Sequence, residues 1–181
     1  MGDTLGRTFA VIFGCLIMFI VPVMIIAQKM DTIAQSYIDN AVVEFVDNAR
    51  AAGKITPEAY EELCNEIDSA HMTCEIRMVH SAAYTVPVVD ESGNYVYDAT
   101  GWIKTETYRY DYNKEEILDV IYASDPTENI DYQLKNGDYL KVEVKNTTPT
   151  LGTKLFRLFT PKVNDVTLFT TYGGYVGNNM Q

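Results

Sequence analysis

Thr8-Phe-Ala-Val-Ile-Phe-Gly-Cys-Leu-Ile-Met-Phe-Ile-Val-Pro-Val-Met-Ile-Ile-Ala-Gln28 contains no charged residue. At ~1.5 Å per residue, a helix of this length crosses a ~30 Å hydrocarbon core. A cleaved secretory signal fits less well. Only Arg7 is basic before the run, and the run exceeds the ~7–15 residues of a signal core; a cut after Ala27 would also put Ile25 where a small side chain is wanted. The segment therefore reads as an uncleaved anchor. Pro22 removes one backbone donor within it, which predicts a kink near Val21.

The rest of the chain is acidic. There are 25 Asp and Glu against 14 Lys and Arg, a net charge of −11. Phosphate contacts need clustered Lys and Arg, so nucleic acid is excluded as a partner. Arg7 and Lys29 flank the anchor almost symmetrically, while nearly all the acid lies beyond Lys29. This favours the N-terminus inside and the main domain extracytoplasmic.

Beyond Met30 the apolar residues Ala34, Ile38, Ala41, Val42, Phe45 and Ala49 recur at spacings of three and four. Asp31, Gln35, Asp39, Glu44, Asp47 and Asn48 fall elsewhere, on what reads as the solvated side. Nothing interrupts this helix before Gly53, a suitable C′ residue, so one rod is expected from Thr8 to Ala52. Thr56 and Pro57 open a second helix with Tyr60, Leu63, Cys64 and Ile67 on one face. After His71 the pattern becomes strand-like: Thr73 to Tyr84, then Val86 to Tyr97 with a turn at Glu91–Asn94, then Trp102 to Tyr112. Asn113 is placed to cap a helix through Ile117, Leu118 and Ile121, and Tyr139 to Val144 alternates as a strand. Asp125–Asn129 reads as a loop. Thr148-Pro149 opens an amphipathic turn with Leu151, Leu155, Leu158 and Phe159, and Val166 to Tyr175 reads as a last strand stopping at Gly173-Gly174. Helices followed by mainly antiparallel strands make the class α+β. The layout is a cytoplasmic N-terminus (1–7), a transmembrane helix (8–28), a helical stalk (29–52) and an extracytoplasmic domain (53–181).

Few residues point to chemistry. His71 and His80 are the only histidines, and Ser81 beside His80 does not by itself make a nucleophilic arrangement. No zinc-protease, Walker or dinucleotide glycine motif occurs, and Asp90 to Asn94 lacks the Gly and Glu positions of a calcium loop. No enzyme activity, cofactor or metal is expected. Tyr108, Tyr110 and Tyr112 alternate on one strand face, which predicts packing against the long helix, with an aromatic binding stripe as the other option. Cys64 and Cys74 are candidates for a disulfide or for two buried thiols. Asn146-Thr-Thr148 fits a glycosylation sequon. In the anchor, Ala10, Gly14 and Cys15 are small residues of the kind that let helices approach in lipid, and with Pro22 they are the helix-association candidates.

A proline-containing apolar helix that continues as an amphipathic stalk into a small α+β domain resembles type IV pilin-like proteins. Met1-Gly-Asp3, Glu44-Phe-Val-Asp47, Lys54-Ile-Thr-Pro-Glu-Ala-Tyr60 and Tyr172-Gly-Gly174 look like proteins associated with tight-adherence (Tad, Flp-type) pilus systems of Gram-positive anaerobes. The resemblance implies a non-enzymatic subunit or accessory protein of a pilus or secretion apparatus. Its partners would be other pilin-like subunits, pilus assembly proteins and the bilayer, in a homo- or hetero-oligomer. One position departs from the family: Gly6 is followed by Arg7-Thr-Phe-Ala-Val11, with Val11 where such sites carry Glu. This leaves open an unprocessed, membrane-resident component as well as a filament subunit. A membrane-tethered extracytoplasmic binding or sensory module is the alternative function.

Overall fold

The computed structural model describes residues 2–70, 72–123, 130–159 and 168–177. His71, the Asp125–Asn129 loop, Val166 and the side chains of Leu151, Leu158 and Phe159 lie outside the described set. Helix α1 (Gly2–Ala52) is one rod, and its helical backbone continues through Pro22. Gly53, at φ +68°, ends it, and the Gly53 carbonyl accepts from the Leu134 amide. A left-handed residue stops the helix at little cost only if it is glycine.

Two short strands, β1 (Lys54–Ile55) and β4 (Tyr132–Gln133), pair antiparallel directly after that turn. Between them in sequence come α2 (Pro57–Ser69), β2 (Cys74–Pro87), β3 (Thr105–Asn113) and α3 (Lys114–Ile121). Thr56 caps α2 through the Ala59 amide, and Asn113 and Glu116 form a reciprocal capping box on α3. Strand β5 (Tyr139–Asn146), α4 (Leu151–Phe159) and β6 (Phe169–Tyr175) complete the chain, and the main sheet is antiparallel in the order β3-β2-β5-β6.

The sheet lies on the second half of α1. Ile38, Ala41, Val42, Phe45, Val46 and Ala49 of the helix meet Met78, Leu140, Val142 and Val144 of the strands, with Leu63, Ile67, Ile117 and Ile121 filling the sides. The apolar face expected from periodicity is therefore the core face. The polar side is not simply solvated. Gln35 donates to the Thr170 hydroxyl at 2.7 Å, Thr170 donates to Asp39, and Tyr172 donates to Asp47 at 3.2 Å, so these polar residues tie α1 to β6.

The last strand runs through Gly173-Gly174 instead of stopping there. A Cβ at Gly173 would sit 2.8 Å from the Leu140 carbonyl oxygen, and one at Gly174 would overlap the Arg50 guanidinium, whose Nε donates to the Tyr175 carbonyl. These glycines serve close approach, not chain reversal. Between β2 and β3 the chain makes two turns where one was expected. In Asp90-Glu-Ser-Gly-Asn94 and Asp98-Ala-Thr-Gly-Trp102, the Asp carboxylate accepts amides two and four residues on, and Gly93 and Gly101 take φ +82° and +86°.

Candidate functional site

Two surfaces stand out: the bare half of α1 and a groove at the end of the sheet. Helix α1 contains an apolar window long enough to cross a membrane, and none of that window is buried by the rest of the chain. Ala10, Gly14, Cys15 and Pro22 are all exposed there, and a Cβ at Gly14 would meet nothing within 4 Å. Ala10 and Gly14 lie one turn apart on one stripe. Cys15 and Pro22 lie two turns apart on an adjacent one. Farther along, Ala27 is covered and the Gly152 amide of α4 donates to Asp31 at 3.2 Å, so α4 meets the helix where its charge-free run ends.

The groove arises from unequal strand lengths. The first half of β2 pairs with β5, and the second half with β3; the β5 ladder ends at Ser81↔Tyr139. The next β2 amide on that edge, Ala83 N–H, would then lack a partner. Asp138, one residue before β5, accepts it on Oδ1 at 3.0 Å, so the carboxylate extends the ladder by one bond. Gly137, at φ +88°, turns the chain so that Asp138 Oδ2 also accepts from the Lys135 amide at 2.7 Å.

That same oxygen lies 2.9 Å from Nε2 of His80, and Nδ1 of His80 lies 2.7 Å from the Tyr132 hydroxyl. An ionised Asp138 requires the hydrogen on Nε2, and in the neutral ring Nδ1 then accepts from the Tyr132 hydroxyl. His80 is 3% exposed and Asp138 1%. Burial alone would raise the Asp138 carboxyl; the Ala83 and Lys135 amides and His80 together outweigh it and hold the group below the ordinary carboxylate range. Burial, with Tyr112 and Asp138 nearby, pushes the Tyr132 phenol up to about 12. No buried side-chain N or O among the described residues lacks a partner.

Over this floor the sheet's helix-facing side continues past the end of α1 as an open groove of about 610 Å³. Tyr84, Tyr110, Tyr112, Tyr132, Gln133 and Lys135 line it. Tyr112 stacks on His80 at 5.6 Å and meets Tyr110 edge to face at 4.7 Å, while Tyr84 stacks on Tyr108 at 5.9 Å. The tyrosine stripe thus faces as its alternation required but is not packed on the long helix. Only Tyr112 reaches the core, while Tyr84 and Tyr110 are each 50% exposed.

No family model, curated protein or solved structure matches the chain.

Other expected sites resolve plainly. Cys64 and Cys74 are separate, half-buried free thiols, and burial raises the Cys74 thiol; Cys15 is also free. Ser81 points away from His80, to Asp111 on the opposite face. Asn146 is buried, donating to the Thr148 carbonyl at 2.9 Å and accepting from the Leu168 amide at 2.8 Å, so the sequon amide is committed to the fold. Sequence reading passed over the His80–Asp138–Tyr132 set. The signal was there in Asn136-Gly-Asp138 directly before an alternating strand, a turn that places an acceptor at a strand end.

Proposed function

We propose that this chain is a non-enzymatic, pilin-like subunit or accessory protein of a cell-surface pilus or secretion apparatus, and that it assembles through its apolar N-terminal helix. The observation that carries the reading is the division of α1. One continuous helix leaves most of its charge-free half exposed and buries its second half under an antiparallel sheet. Exposed Phe9, Phe13, Met18 and Phe19 cannot remain in water on a soluble monomer, so this half must meet lipid or other apolar helices. In lipid, association depends on close backbone approach, and the bare Ala10–Gly14 stripe permits it.

The membrane end also has a defined boundary. Lys29 on α1 and Lys154 on α4 are exposed where α4 meets α1, at the level where the charge-free run stops and anionic headgroups would begin. With the acidic domain outside, the orientation is N-terminus inside. The non-enzymatic reading is supported by a His80 whose two ring nitrogens are both engaged and whose neighbour Ser81 points elsewhere.

The test replaces Gly14 with Leu, which preserves apolarity but blocks close packing. Tagged Gly14→Leu should insert in membranes yet fail to co-purify untagged copies and neighbouring apolar subunits, while His80→Ala leaves co-purification intact. Imaging of surface material together with N-terminal sequencing separates a filament subunit from a membrane-resident one. Unaltered co-purification by Gly14→Leu refutes assembly through this stripe.

A further inference from the structure

The groove beyond the end of α1 takes no part in assembly through the apolar helix. We propose that it binds a neutral, polyhydroxylated ligand, a stretch of polysaccharide lying across Tyr84 and Tyr110.

Charge excludes the alternatives first. The carboxylate at the floor, Asp138, is spent on three donors, so it offers nothing to a cation. Among the described residues Lys135 is the only cationic side chain in the lining, on a chain of net charge −11, so they form no cradle for phosphate or nucleotide. What remains is uncharged and two-sided. Tyrosine hydroxyls and the Gln133 amide both donate and accept, which matches a ligand whose every hydroxyl does the same. Between those groups lie aromatic rings, apolar bodies with polar tips, suited to the C–H faces of sugar rings.

The site is also built before any ligand arrives. Tyr132 is fixed by His80, and His80 by Asp138, whose other oxygen holds β2; Tyr112 stacks on the same imidazole. Rings held in this way lose little freedom on binding. A volume of about 610 Å³ falls within the ~300–1,000 Å³ usual for ligand sites. The β2–β3 ribbon continues outward with Tyr95, Tyr97 and Trp102 exposed, the last by 76%, which suits a polymer longer than the groove.

The experiment uses the full chain in lipid nanodiscs, free of glycoside detergents, and titrates it calorimetrically with hexamers of β-1,4-linked glucose and of β-1,4-linked N-acetylglucosamine. Inorganic phosphate and a proline-rich decapeptide serve as competing chemistries. At least one hexamer should bind with Kd below about 1 mM, and Tyr84→Ala or Tyr110→Ala should each weaken it by roughly tenfold, the equivalent of one lost ring contact. Tyr37→Ala, on the exposed side of α1, should leave it unchanged. Near-ultraviolet circular dichroism confirms that the variants keep their fold. Failure of both hexamers to bind, binding indifferent to Tyr84 and Tyr110, or preference for the proline-rich peptide or phosphate would each overturn the assignment. So would a Tyr84-dependent self-association, which would make the occupant a second copy of the chain. None of these outcomes bears on assembly through Gly14.

Discussion

Replacing Asp138 with Ala should destabilise the outer domain by about 3–5 kcal/mol, the loss usual when one partner of a buried polar set is deleted. The size follows from what the carboxylate holds. His80 Nε2–H, 2.9 Å away and almost fully buried, would be left without an acceptor, which costs about 1–3 kcal/mol. The Ala83 and Lys135 amides are only partly buried and can be rehydrated from the groove, so each adds about 0.5–1.5 kcal/mol. Asp138→Asn should cost less, about 1–3 kcal/mol, because one amide oxygen can still serve two of the three donors. The assay is thermal unfolding followed by the near-ultraviolet tyrosine signal, which reports the sheet and not the apolar helix; the Ala variant should melt roughly 6–20 °C lower. Hydrogen exchange at Ala83 should accelerate in both variants. A loss below about 1 kcal/mol for Asp138→Ala, or an Asn variant as damaged as the Ala variant, refutes the idea that this carboxylate completes the ladder.

Phe45→Ala, at the centre of the α1–sheet contact, should cost about 3–5 kcal/mol in denaturant unfolding. Asp39→Ala should cost about 1–2 kcal/mol because Thr170 and Gln35 lose their acceptor, whereas Asn48→Ala, at an exposed position, should stay within ~0.5 kcal/mol. Stability should depend on pH at both extremes. Asp138 titrates lower in the fold than in the unfolded chain, so its contribution is complete at neutral pH and lost as pH falls through and below about 4; Tyr132 titrates higher, so its contribution is complete below about pH 10 and lost as pH rises toward 12. A pH titration of melting temperature checks both limbs.

The parts of this fold that can be read from sequence are those set by local rules. The α1 period, the Thr56 and Asn113 caps and the alternation of β5 each depend on residues within one or two turns, and all appear where those rules put them. Long-range pairing carries no such period. Strands β1 and β4 have two residues each and meet across 77 residues, held by the Lys54–Asp131 contact at 2.7 Å, by β pairing and by burial of Ile55 and Tyr132 in the core. The groove needs His80, Tyr132 and Asp138 brought together from separations of 52 and 58 residues. Glycine misleads for a related reason. At Gly93 it marks a turn through positive φ, but at Gly173 it marks a neighbouring backbone that only the folded sheet reveals. The stripe of tyrosines shows the same limit: alternation gives the face, but how far α1 covers that face depends on where the helix ends against the sheet.

That end point is set by polar contacts, because apolar burial is nondirectional and tolerates sliding along a rod. Asp31 accepts the Gly152 amide, Asp39 accepts from Thr170, Asp47 accepts from Tyr172, and Arg50 donates to the Tyr175 carbonyl. Each bond links a different level of α1 to α4 or to a successive stretch of β6. A shift of the sheet by one helical turn, about 5.4 Å, would break all four together while leaving much of the apolar contact recoverable. The seam therefore fixes two distances at once. It holds the domain at a set height above the charge-free segment, and it places the helix end that Gly53 makes after Ala52 short of Tyr84 and Tyr110. The position of the groove outside the helix and the length of bare helix below the domain are consequences of one register.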